Sequence, residues 1–518
     1  MNFKKPFYLL MMTALLSVFI VGCAQEPDSD SNSSGNGADG GELIISVLSD
    51  AAQLDPHKGT DIPSAIVYHG KIYEGLVKQN KEMEVLPNLA TGWEQLDDNT
   101  WEFYLRDDVV FHDGAEFNAE AVKKNFERIL DEETASPRKK LFEMIEEIVV
   151  VDDYTIQFVT EYPFAPLLSN FAHYAGGIVS PKAIDEHGSD LGQNPAGTGP
   201  FVFENWIPGQ EIELVKNENY WGDKPKIDSV VFQVIPEDAT RISLVETGES
   251  HIADPVPVTE IERVENSPNM NLVRSTGLGI DYIGFNTQKA PFNNKLVRQA
   301  INYAVDTDII LEGVFNGVGT KAEGPMGPGV WGYSDKVEGY GYDLEKAKQL
   351  LKEAGYEDGF KTSIWTNDNQ ARVDVAEVVA SQLKGIGIDV EIKVMEWGAY
   401  LESTKKGEHD MFVLGWSNMT GDADYNQYFL FHTDAHGAEG NRTFYDNADV
   451  DEYIDLGRKE SNVEKRLEYY EKAQLQEVED APMIFLRNDE DISAVGKNVD
   501  GFWVHPSGIY MINDVTIN

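Results

Sequence analysis

The chain has 518 residues and carries 42 Lys+Arg against 89 Asp+Glu, a formal charge of −47 at neutral pH. Its 42% hydrophobic and 11% aromatic content supports well-buried cores and excludes a disordered chain, and at ~100–200 residues per domain the length predicts two to four domains. So acidic a chain repels phosphate backbones, which argues against nucleic acid as a partner, and its single cysteine, Cys23, excludes an internal disulfide and a cysteine-cluster metal site.

In chain order, Lys4 and Lys5 precede an apolar stretch from Phe7 to Val21, too short for the ~20 residues that span a membrane comfortably. It ends Ile20-Val21-Gly22-Cys23, which resembles a bacterial lipobox, so Cys23 is the expected site of lipid attachment after cleavage. Ala24 to Gly41 is rich in Gly, Ser and Asp without apolar periodicity and reads as a flexible tether with an r.m.s. reach of ~25 Å. No later window holds 18 consecutive apolar residues.

Strand and helix patterns then alternate. Leu43–Leu48, Thr100–Leu105, Tyr154–Val159, Glu211–Val215 and Ser229–Ile235 read as strands. Asn118 is placed to cap a helix over Ala119–Leu130, Asn294 one over Lys295–Ala304, and Asp343 one from Leu344 that stops at Gly355. Ser461-Asn462-Val463-Glu464 has capping-box spacing and opens a helix that Pro482 ends. A strand over Asp389–Val394 directly after a helix over Arg372–Leu383 suggests a βαβ unit. The body is mixed α/β, and no repeat of 20–50 residues marks a solenoid or propeller.

Several segments in sequence carry a resemblance. They are Leu86-Pro87-Asn88-Leu89-Ala90 with Gly92-Trp93, Val110-Phe111-His112-Asp113-Gly114 with Phe117-Asn118-Ala119, Gly197-Thr198-Gly199-Pro200-Phe201, and Asn219-Tyr220-Trp221. Gly284-Phe285-Asn286 with Val297-Arg298-Gln299-Ala300-Ile301 and the helix from Asp343 to Gly355 follow. Together they resemble the extracellular solute-binding proteins, family 5, of peptide, glutathione and nickel ABC importers. The resemblance implies an α/β, two-lobed periplasmic-binding-protein-like fold of type II with an extra subdomain inserted in lobe one. It implies a signal peptide over 1–22, a tether over 23–41, and lobe one from 42–85, 195–276 and 490–518. The inserted subdomain is expected over 86–194 and lobe two over 277–489.

The same resemblance implies where ligand binds. Gly415-Trp416-Ser417-Asn418-Met419-Thr420-Gly421-Asp422-Ala423-Asp424-Tyr425 is similar to the stretch whose last acid binds a peptide ammonium, a role that carries over onto Asp424, with Asp422 a close competitor. Trp416 is the expected wall against the ligand or else a core residue, and Asn418 lies in the same stretch. Arg372 opens a helix where relatives place a carboxylate-binding arginine, and a guanidinium fork suits that ligand. Arg442 is a second basic candidate or a structural arginine, and the loop at Ser49-Asp50 is where family members contact ligand backbone. Opposite charges belong in such a site, because burying either end of a zwitterion unpaired costs several kcal/mol.

The expected function is therefore a lipid-anchored receptor on the outer side of the cytoplasmic membrane. It would capture a short peptide, in the first place glutathione, and hand it to ABC permease subunits, as a monomer without cofactor. A general di- or oligopeptide receptor, a nickel-binding member and a signalling role remain open, the second because His432 and His436 stand four apart. An enzyme is disfavoured: the chain has no G-x-S-x-G elbow, no H-E-x-x-H pair and no Walker loop, and Gly277-Leu278-Gly279 lacks the third glycine of a dinucleotide fingerprint.

Overall fold

The first strand forms where the glycine-rich stretch gives way to Glu42–Val47, whose alternate Leu43 and Ile45 are fully buried. In the computed structural model, which describes residues 40–437 and 440–518, it pairs in parallel with Ser229–Val234 on one side and Ile252–Asp254 on the other. The leader, Cys23 and nearly all of the tether lie outside the described residues.

That strand belongs to an eleven-stranded mixed sheet. At one end, Ser229–Val234 continues through antiparallel Glu211–Lys216 to Phe201–Ile207. At the other, Lys361–Asn367, the helix Gln370–Leu383 and Asp389–Met395 make the expected βαβ unit, with the two strands parallel.

Two long antiparallel strands, Met270–Phe285 and Met483–Gly496, join the ends. Each is buried in one core at one end and in another core at the other. Met270, Ile492 and Ala494 pack with Ile242, Val245 and Ile261, whereas Ile283, Phe285, Ile484 and Leu486 pack with Val297, Ile301, Val375 and Val379. Between them the pairing register breaks at Thr276/Ile280, and the opposing strand reads Arg487-Asn488-Asp489-Glu490-Asp491. A strand that crosses from one core to another exposes its middle to the gap, and these polar residues occupy that crossing.

A separate four-stranded antiparallel sheet is built from Ala90–Gln95, Thr100–Leu105, Thr155–Thr160 and Ile145–Asp152. Phe126 of the helix Ala119–Leu130 lies edge-on to Phe158 and Phe171, with centroids 5.0 Å apart in each case, so aromatic packing seals that helix onto the sheet.

Helix starts follow the sequence closely: Asn118, Asn294 and Asp343 each accept a backbone N–H from the first turn. One start differs. The helix Val463–Asp480 is capped by Asn462, which accepts from the Lys465 N–H, and not by Ser461 through a capping box. Asn is as good a cap as Ser, and placing it there brings Arg466 onto the buried face. Among the described residues no helix is long and apolar enough to cross a membrane.

Candidate ligand cleft

The long strands open onto a cavity of about 740 Å³, whose walls come from both sides of the crossing. Thr60–Pro63 and Pro137–Leu141 face the segments that carry Arg372, Trp397, Leu401, Leu414–Ser417, Tyr425 and Arg442. In a chain with about two acids per base, this lining reverses the balance. Four bases, Arg138, Lys140, Arg372 and Arg442, line it against three acids, Asp61, Asp281 and Asp489. The cleft is therefore a cationic enclave in an anionic molecule.

Three of the cations are held by neutral oxygens. Asn369 caps the helix Gln370–Leu383 and places Arg372 in its first turn, where Nη1 donates to Asn367 Oδ1 (3.1 Å) and the guanidinium lies 5.4 Å from the centre of the Trp397 ring. Arg442 Nη1 donates to the Leu401 carbonyl (2.8 Å) and Thr404 Oγ1 (2.9 Å). Arg138 Nε donates to the Gly59 carbonyl (3.1 Å), and its guanidinium sits over Tyr174. Among the described residues none of these three forms an ion pair with a carboxylate within 4.0 Å, so each retains charge for a bound anion.

The acids come from the long strands. Asp281 is paired with Arg487, Nε to Oδ2 at 2.7 Å. Asp489 has less help: Oδ1 accepts the Gly279 N–H at 2.9 Å, and burial, then the neighbouring Asp281, pushes its carboxyl up to about 6. Side chains at Gly277 or Gly279 would overlap the Asp489 carboxylate, so the G-L-G segment makes room for an acid. At Gly415 a Cβ would stand 2.9 Å from Asp281 Oδ1 and 3.8 Å from Arg372 Nη2, so that glycine lets an acid and a base share one rim.

Trp416, at the end of the strand Met411–Ser417, stands where an aromatic cluster meets the cleft. Its ring packs on Tyr425 (5.4 Å) and Phe429 (6.1 Å) and also lines the cleft. Its buried indole N–H has no partner among the described residues. An acceptor on a ligand would satisfy it.

The cleft thus brings together Arg372, Trp416 and Arg442, and it leaves out Asp422, Asp424, Asn418, Ser49 and Asp50. Asp422 caps the helix Ala423–Phe431 and is gripped by both Arg466 nitrogens, Nη1 at 2.9 Å and Nη2 at 2.7 Å. Asp424 lies 3.0 Å from Arg458 Nε; burial raises its carboxyl, and Arg458 opposes that. Asp422 is thus held by two hydrogen bonds, whereas Asp424 has an ion pair in which Oδ1 and Arg458 Nε make no hydrogen bond, and neither acid lines the cleft. Asn418 ties the turn before the helix, accepting the Thr420 and Gly421 N–H groups. Ser49 and Asp50 border a different cavity, where the Asp50 carboxylate accepts from Trp206 Nε1 and the Gly209 N–H.

Sequence reasoning missed Arg138, Lys140, Asp281 and Asp489. Two signals were present: the run Arg138-Lys139-Lys140 in a strongly acidic chain, and five consecutive polar residues inside the otherwise apolar strand Met483–Gly496. His432 and His436 are separated by the 3₁₀ turn Thr433–Ala435 and do not share a helix face. Among the described residues no group of three or more His, Cys, Asp or Glu side chains is placed to hold a metal ion.

Residues 84–438 match the bacterial extracellular solute-binding proteins, family 5. The chain is 34% identical over 485 residues to a glutathione-binding protein of Pectobacterium atrosepticum, covering 92% of this chain and 94% of that one. Among solved structures it resembles the periplasmic binding protein DppA of Helicobacter pylori in complex with the peptide STSA. That match has a TM-score of 0.83 and 34% identity, over 93% of this chain and 98% of the other. It also resembles a dipeptide-binding protein of a Pseudoalteromonas species in complex with Met-Leu, with a TM-score of 0.84 and 26% identity, over 92% and 100% of the two chains. The two-lobed α/β fold and the long match agree: the chain belongs to the bacterial extracellular solute-binding proteins, family 5.

Proposed function

We propose that this protein is the receptor of an ABC importer, that it closes on a short peptide of the glutathione type in the 740 Å³ cleft and delivers it to a membrane permease. The observation that carries this reading is the charge inventory of the cleft. Glutathione brings two carboxylates and one ammonium, and the cleft offers unpaired guanidiniums in excess over one poorly compensated acid. In this assignment Arg372 and Arg442 take the carboxylates, Arg138 adds positive potential, and Asp489 with Asp281 takes the ammonium. Trp416 supplies an apolar wall and one N–H.

The similarity to glutathione-binding relatives supports the same choice. Closure is a hinge motion about the crossing of the long strands, favoured because ligand contacts on both sides are complete only in the closed state. No chemistry is required of the protein. Lipid attachment at Cys23 would keep it beside its permease, with the tether allowing the body to reach it.

A general peptide receptor is the second reading, favoured by the tetrapeptide and dipeptide in the related structures. Isothermal calorimetry with glutathione, di- to pentapeptides and Ni²⁺ separates the two. Binding of glutathione with rejection of unmodified peptides supports the narrow reading. Comparable affinity for many peptides supports the broad one, and a response to Ni²⁺ alone overturns both.

A further inference from the structure

Behind the first strand lies the cavity bordered by Ser49 and Asp50, of about 240 Å³, walled by Val47, Ile66, Ile212, Phe232 and Val234 and lined also by Asp254 and Asp491. It shares Ile62 and Pro63 with the interlobe cleft, yet neither Arg372, Arg442 nor Trp416 reaches it. A cavity of ~150 Å³ with apolar walls already accepts benzene, so this one admits a chain of about six to eight heavy atoms.

Its three carboxyls differ: Asp50 accepts from Trp206 Nε1 and the Gly209 N–H. Asp254 is satisfied by Ser493 Oγ and by Tyr510 Oη at 2.6 Å. Asp491, on the same face of the strand as Asp489, is half-buried, and among the described residues no hydrogen bond or ion pair reaches its carboxyl. The charged groups acting on it are all acidic: Asp254, Asp489 and Glu490. Arg241, which acts on Asp254, is turned toward Asp238 and toward the Ile235 and Pro255 carbonyls. Burial among like charges pushes the Asp491 carboxyl well above its ordinary range, a state that a bound cation would reverse.

We propose that this chamber is a second binding site, for a small organic cation with an apolar tail, seated with its ammonium on Asp491 and its tail against Ile66, Phe232 and Val234. The recognition is dual. The apolar walls favour a hydrocarbon chain by the area it removes from water. The unpartnered Asp491 carboxyl favours a primary ammonium over an alcohol or an acid of the same length. The site adjoins the interlobe cleft through Ile62 and Pro63.

The test is calorimetry on the purified chain with n-hexylammonium, n-hexanol and hexanoate, repeated in Asp491→Asn and in Ile66→Trp. Asp491→Asn keeps the side-chain shape, and Ile66→Trp fills the chamber. The expected result is that hexylammonium binds at least tenfold more tightly than hexanol, that hexanoate does not bind, and that both variants lose at least tenfold in affinity for the ammonium. Absence of hexylammonium binding to the native chain overturns the proposal, as does equal affinity in either variant with an unchanged unfolding midpoint. Displacement of hexylammonium by glutathione or a dipeptide would place the cation in the interlobe cleft and overturn it as well. Failure here leaves the peptide reading of the cleft untouched.

Discussion

Two acidic regions of this molecule differ in how their charge is compensated. In the turn and helix around Ala423–Phe431, Asp422 and Asp424 each face a guanidinium, Arg466 at 2.7 Å and Arg458 at 3.0 Å. In the crossing strands, Asp489 has one backbone N–H and Asp491 has no donor among the described residues, and burial followed by neighbouring carboxylates pushes both carboxyls upward with no guanidinium bonded to either. The first region is closed within the protein and stabilises the helix it starts. The second holds charge that the folded chain leaves unanswered. Perturbed, uncompensated acids in a cavity are where a ligand is expected to supply the missing charge.

The largest effect should come from breaking the compensated region. Arg466→Ala leaves the Asp422 carboxylate buried without its partner, and the expected loss of stability is ~3–5 kcal/mol by chemical denaturation. Replacing both partners, as Asp422→Asn with Arg466→Met, should recover a large part of it. If Arg466→Ala were as stable as the native chain, the pair would not be the clamp described here.

Asp489→Asn should act in the opposite sense on the two properties. The folded state holds this proton up to about pH 6, whereas an unfolded aspartate releases it near ~4. The folded chain therefore binds more protons in that window, stability falls as pH rises through it, and the neutral side chain should raise stability by ~1–3 kcal/mol at pH 7. Binding of glutathione should weaken by ~2–4 kcal/mol, because the ammonium loses its counter-charge. Calorimetry and denaturation on the same sample check both signs, and Asp424→Asn as the control should leave affinity within about twofold.

Arg372→Ala is expected to weaken binding by ~1.5–3 kcal/mol, the range for a hydrogen bond to a charged group, with a small change in stability because its native partners are neutral. Arg372→Lys should recover only part, since the fork is lost. The smallest effect is that of pH. With Asp489 near 6 in the free cleft, affinity for an ammonium-bearing ligand should fall about tenfold between pH 7.5 and pH 5. A flat profile in the native chain would remove Asp489 from the ammonium site, and a flat profile confined to Asp489→Asn would sharpen the assignment.

Much of the secondary structure was legible because its causes are local. Asn118, Asn294 and Asp343 cap helices with their own side chains, and Thr100–Leu105 alternates as a half-buried strand must. The long strands were less legible. Met270–Phe285 contains three glycines and Met483–Gly496 a charged interval, so each reads as two short pieces with a loop between. Only the presence of a core at each end makes them continuous. Arg372, Trp416 and Arg442 were found through resemblance and do line the cleft, whereas Asp424 was chosen by the same route and meets Arg458 instead. Nothing near Asp424 in sequence announces Arg458, 34 residues later on another helix.

What the sequence by itself determined is the class of molecule: the α/β composition, the helix boundaries, the family motifs in their sequence and the excess of acid over base. Those depend on neighbours within a few positions or on totals. What only the tertiary structure decided is which charges are already paired. Ion pairing depends on distances between side chains that the chain brings together from hundreds of positions apart, as with Asp281 and Arg487. A carboxylate is a structural clamp or an open ligand contact according to whether a guanidinium arrives beside it, and that is a property of the fold.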